Sequence, residues 1–158
     1  MKFLKQYSLG LIIATLISCN TEKNKPANTL IKLTDLELIE RARQKTFVDL
    51  ENIVYKNEKG TEYVKANIEN LAAQSRLPYD DQFLNYFGYE FLFAGKEKIA
   101  IQLFTMNTEL FSEIPNTFDS LAEGYLISGD TLNALKYYNL VLQKDPSNKL
   151  VEDTISNL

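Results

Sequence analysis

Histidine is absent from these 158 residues, tryptophan is absent, and cysteine occurs once, at Cys19. Without histidine there is no imidazole general base and no histidine metal ligand. With one thiol there is no disulfide and no thiolate zinc site. Four prolines and six glycines leave little low-complexity sequence, and no glycine-rich phosphate loop occurs, since Gly124 and Gly129 flank helical sequence. The only long apolar run, Leu9 to Ile17, is too short to cross a bilayer. What is present is a 45% hydrophobic, 24% charged chain, enough for one compact helical domain. Its net charge of −4 argues against nucleic acid as a partner.

The stretch Asp81–Pro146 carries one helix-pair pattern written twice. The first copy reads Leu84-x2-Phe87-Gly88-x2-Phe91 and then Ala100-x3-Phe104. The second reads Phe118-x2-Leu121-Ala122-x2-Tyr125, then Ala134-x3-Tyr138, closing with Pro146. Every matched pair, Gly95 and Gly129 included, differs by the same 34 positions. Small residues at Gly88 and Ala122 let a second helix approach the first. Ala100 and Ala134 do the same from the other side, and the large residues fill the space between. Gly95 and Gly129 fall where the first helix of each pair must end, in a conformation glycine accepts without strain.

This pattern resembles the tetratricopeptide repeat, which spans 34 residues with large, small and aromatic positions in this order. One departure is Ser112, where the second copy has Pro146. The resemblance implies an all-α fold: a short antiparallel helix-hairpin solenoid of about three helix pairs plus a C-terminal capping helix. The expected helices run from about Asp35 to Lys56, Thr61 to Gln74, Asp80 to Ala94, Lys96 to Phe111, Asn116 to Ser128 and Thr131 to Lys144. A last stripe of Val151, Ile155 and Leu158 follows an N-cap at Asn148. Residues 34–79 read as a degenerate helix pair, opened by a capping box at Thr34-Asp-Leu-Glu37, with Leu36, Ile39, Phe47, Leu50 and Val54 on one stripe. Asn57-Glu-Lys-Gly60 ends its first helix. Val64, Ile68 and Leu71/Ala72 line the second. Residues 80–158 hold the two clear repeats and the cap.

The N-terminus reads differently. Lys2 and Lys5 precede the apolar run, which ends in Leu16-Ile17-Ser18-Cys19. This is a secretory signal over 1–18 that resembles the bacterial lipoprotein signal. The resemblance implies cleavage before Cys19 and diacylglyceryl attachment to its thiol, so that the membrane is held through lipid. Losing Lys2 and Lys5 takes the net charge from −4 to −6, so headgroup attraction does not contribute. Residues 19–33 become the lipidated cysteine and a polar tether, with a reach of roughly 20 Å. Asn20 after the cysteine points to the outer membrane, facing the periplasm or cell surface of a bacterial envelope.

In the repeat family the groove is lined by first-helix positions that face away from the second helix. Carried over by position, these are Gln82, Asn85, Tyr89 and Leu92, then Asn116, Asp119, Glu123 and Leu126. Asn85 suits a peptide backbone, and Tyr89 suits stacking or hydrogen bonding. The acidic and neutral character disfavours carboxylate-terminated ligands and favours a basic or neutral peptide. Six aromatic residues, Phe83, Tyr86, Phe87, Tyr89, Phe91 and Phe93, crowd one helix and are expected mostly in the core. The expected partner is an envelope protein or peptide, with no cofactor, no metal and no catalytic residue.

Two other readings stand beside this scaffold or adaptor. The helical order before Leu84-Asn85-x2-Gly88-Tyr89 is similar to a segment that follows some β-lactamase-type serine hydrolase domains, which implies a non-catalytic accessory module. The nucleophile pair Ser-x-x-Lys of such hydrolases is absent, and Tyr137-Tyr-Asn139, which matches one of their short elements, lies mid-helix at repeat positions. The third reading is an enzyme using Asp119 and Glu123, four apart on one helical face. The default for that pair is a solvated face, and for Asp80-Asp81 a helix start, where negative charge is favoured.

Overall fold

The computed structural model describes residues 35–56 and 59–158. The signal sequence, Cys19, the tether and Thr34 of the expected capping box lie outside the described residues. Seven helices and no strand occur among the described residues: α1 (Asp35–Lys56), α2 (Gly60–Ser75), α3 (Asp81–Phe93), α4 (Glu97–Leu110), α5 (Pro115–Ile127), α6 (Thr131–Lys144) and α7 (Lys149–Ser156). The chain is all-α. None of these helices is long and apolar enough to cross a membrane.

The chain divides into two compact units, Met1–Ala42 and Arg43–Leu158, with the division inside α1. Of the first unit only the opening turns of α1 are described. Asp35 and Glu37 stand there, where carboxylates favour the helix dipole. Leu36, expected on the apolar stripe, is 77% exposed; the stripe becomes buried only at Thr46, Leu50 and Val54.

In the second unit, consecutive helices from α3 to α7 pack side by side, α2 lies against α4, and α3 also meets α5. The apolar positions explain this order. Leu50 and Val54 of α1, Val64, Ile68, Leu71 and Ala72 of α2, the α3 aromatics and Leu103 and Phe104 of α4 form one core. Ala122, Ala134, Tyr138, Val141 and Val151 form a second, which buries α7 against α6. Phe83, Phe87 and Phe91 are fully buried, Tyr86 and Tyr89 half-buried, and Phe93 47% exposed. Phe47 of α1 stacks on Phe91 at 4.1 Å, with the Lys96 ammonium above it and bonded to Glu51.

Close approach depends on glycine at two places. A Cβ on Gly88 would fall 2.3 Å from Cε1 of Phe104, so the buried Phe104 ring of α4 lies directly on the α3 backbone. A Cβ on Gly60 would fall 2.1 Å from the Ile53 carbonyl oxygen. As expected, α1 ends at Lys56 before the stretch that closes with Gly60, and Gly60 itself opens α2, because only a residue without a side chain can start a helix so near the α1 backbone.

Helix ends follow local chemistry. Asp80, Asp130 and Asn148 cap α3, α6 and α7 by accepting from Gln82, Asn133 and Val151 amides. Pro115 opens α5 at the position where a missing N–H costs nothing. Gly95 and Gly129 have φ of 70° and 84°, as their place after a helix requires. Arg76 takes the same left-handed conformation, φ 59°, to close α2, and its amide reaches the Ala72 and Ala73 carbonyls.

Candidate functional site

The face where α3 meets α5 collects the polar residues of both helices. The Tyr89 hydroxyl on α3 donates to Oε2 of Glu123 at 2.5 Å and lies 3.3 Å from the Ser120 hydroxyl, both on α5. Ser120 is buried and donates in turn to the Asn116 carbonyl. Tyr89 and Glu123 are separated by 34 residues, so the bond joins equivalent positions of the two copies.

Electrostatics distinguishes this face from an ordinary solvated helix surface. Asp119 is half-buried, one turn before Glu123, and its carboxyl is pushed up to about 6, first by loss of solvent and then by the Glu123 charge. Burial, and after it the charge of Glu123, pushes the Tyr89 hydroxyl far above the usual phenol range. The buried Tyr138 of α6 is pushed up by burial and by the same two carboxylates. Both tyrosines therefore stay neutral, and Tyr89 acts as a donor. Among the described residues, no lysine or arginine forms an ion pair with Asp119 or Glu123. The solvated-face expectation for this pair is corrected: the two carboxylates are close and partly withdrawn from water.

Asn85 completes the arrangement. It is 8% exposed, and its Oδ1 has no hydrogen-bond donor. It sits four residues before Tyr89 and so shares that residue's face of α3.

The expected groove residues thus separate. Tyr89 and Glu123 meet, with the Asp119 charge felt at the same hydroxyl, and Asn85 is buried on α3. Gln82 and Asn116 are exposed near the helix starts, with the Gln82 amide held by Asp81. Leu92, 4% exposed, belongs to the main core, and Leu126, half-buried, packs against the second. Ser120 and Tyr138 also belong to this face, beyond the expected groove residues. The 34-residue spacing could have signalled Tyr89 beside Glu123, whereas Tyr138 looked like a pure packing position.

No group of three or more metal-ligating side chains occurs among the described residues. The site can chiefly accept hydrogen bonds and balance positive charge. No family model matches the chain, and no curated protein sequence matches it either.

Proposed function

We propose that this chain is a tetratricopeptide-like scaffold or adaptor, lipid-anchored through Cys19 in the bacterial cell envelope, which binds a protein or peptide along the α3–α5 face. The observation that carries the reading is the meeting of repeat-equivalent Tyr89 and Glu123 across adjacent helices. It is the contact expected if helix pairs stack in register, each presenting its first helix on one side. The two cores, which run from α1 to α7, support the same reading: one pair cannot bury its apolar face alone. A row of half-buried polar side chains on such a stack suits a bound segment better than it suits stability.

The test uses the full-length chain with a C-terminal tag, cross-linked in living bacteria and recovered from detergent-solubilised membranes. The control carries Gln82→Ala, Tyr89→Phe and Asn116→Ala, changes that leave both cores intact. One protein recovered with the native face and lost with the control supports the adaptor reading. Recovery unchanged by the control moves binding elsewhere. The anchor is tested separately by labelling with an alkyne fatty acid: the label and membrane association should both be lost in Cys19→Ser.

A further inference from the structure

Helix α1 carries apolar side chains on two sides. Thr46, Leu50 and Val54 are buried on its inward side. Val48, 44% exposed, and Tyr55, 78% exposed, lie seven residues apart and so share an outward side, two turns from each other. Lys45 and Asn52, three residues before and four after Val48, are exposed on that same side. The Lys45 ammonium is bonded to Asp49, so this side carries little net charge. In the opening turns Leu38 is exposed as well. A surface helix ordinarily keeps its apolar side toward the core, and the end of a repeat stack ordinarily turns a polar face to water. The first described helix departs from both rules.

We propose that the outward side of α1 rests on the lipid bilayer, with Val48 and Tyr55 entering its interface. The inference rests on reading Cys19 as the lipid anchor and adds how the anchored chain sits. Fifteen residues lie between Cys19 and Asp35. Fully extended they span about 50 Å, so α1 begins no farther than that from the acyl chains. A surface tethered so near its partner docks even where the contact is weak, because the tether supplies a high local concentration. Of the occupants such a face could take, the bilayer is the one that the anchor itself brings to α1. Tyrosine suits the position, since its ring is apolar and its hydroxyl stays with headgroups and water. Lys45 lays its stem along the same surface and keeps its charged end in water. With Lys45 paired and the whole chain acidic, apolar contact rather than charge holds the face, and zwitterionic lipid suffices.

The chain contains no tryptophan, so one introduced indole reports alone. The full chain is purified from membranes as Tyr55→Trp and, for comparison, as Leu132→Trp, an exposed position on α6. Mass spectrometry establishes the lipid on Cys19, and circular dichroism the fold. Each chain is placed in vesicles of phosphatidylcholine and phosphatidylethanolamine, with and without brominated acyl chains, which quench an indole on contact. Tyr55→Trp should emit at shorter wavelength and lose most of its emission to brominated lipid, whereas Leu132→Trp should do neither. Adding Val48→Asp should abolish both effects while the chain still floats with the vesicles, and added salt should leave them unchanged. A lipidated Tyr55→Trp chain quenched no more than Leu132→Trp would overturn the docking of α1 and leave the anchor standing. Equal quenching of both, or quenching that survives Val48→Asp, would overturn the choice of this face. A shift to shorter wavelength without quenching would mean that protein covers α1, and would overturn lipid docking too. A chain recovered without lipid on Cys19 would overturn the anchor and this inference together.

Discussion

Replacing Asp119 by asparagine should make this protein more stable at neutral pH. The side chain keeps its shape, and the change removes a charge that the structure holds at a cost. The Asp119 carboxyl titrates at about 6 in the fold against an ordinary value of 3.8. A difference of about two pH units corresponds to roughly 3 kcal/mol at 1.36 kcal/mol per unit. Asp119 is only half-buried, so solvent screening reduces this to about 1–2 kcal/mol. The sign follows from proton binding. An acid whose folded-state value is raised binds its proton more readily when folded, so its penalty is present at neutral pH and fades as pH falls from about 7 toward 4. Glu123 on the same helix, Tyr89 from α3 and Tyr138 from α6 are the titratable groups around it. The assay is thermal unfolding by circular dichroism of the native chain and Asp119→Asn, at pH 7.5 and 4.5. The variant should melt about 3–8 °C higher at pH 7.5, with most of the gap gone at pH 4.5. Comparing the two chains removes the contribution of other acids, including the Asp130 cap, whose carboxyl is held below its ordinary value by hydrogen bonds from Asn133. A variant that melts at or below the native temperature at pH 7.5 would refute the reasoning. So would a gap of equal size at both pH values.

Three further outcomes follow from the packing. Gly88→Ala pushes a methyl into the Phe104 ring, which is fully buried and has Gly124 on its other side. Overpacking costs about 1–3 kcal/mol and the gain in helix propensity returns about 1 kcal/mol, so urea unfolding should show a net loss, smaller in the Phe104→Leu background. Gly60→Ala sets its methyl against the Ile53 carbonyl, and backbone cannot turn aside as a ring can. Its loss of stability should therefore exceed that of Gly88→Ala, and equal values in the same titration would contradict the close approach. Asn148→Ala removes the α7 cap and should cost about 1 kcal/mol, with faster amide exchange confined to the last helix.

The helices were legible because their causes are local. The spans Asp35–Lys56 and Thr131–Lys144 coincide with expectation, and the Gly95, Gly129, Asp80 and Asn148 ends follow from residue type. Arg76 was not legible: a left-handed helix end at a residue other than glycine carries no marker in composition. The break at Gly60 was legible, but its close approach to the Ile53 carbonyl was not, since a glycine that punctuates a helix and one that permits a close crossing look alike in sequence. The burial of Leu92 in the main core was not legible from register. Register gives the face of a helix, but how far the neighbouring helices wrap that face depends on their packing.

The sequence by itself determined that this chain is helical, that one residue pattern recurs at an offset of 34 positions, and that chemistry based on histidine or a second cysteine has no residue to carry it. These depend on composition and on periods of a few residues, which one strand of text contains. Only the tertiary structure decided that Asp119 and Glu123 are half-withdrawn from water, that Tyr89 bonds the second of them, and that Asn85 is buried with an oxygen left over. Desolvation and hydrogen-bond partnership are properties of a side chain's surroundings, and the bonds that join Tyr89 to α5 span 31 and 34 residues along the chain.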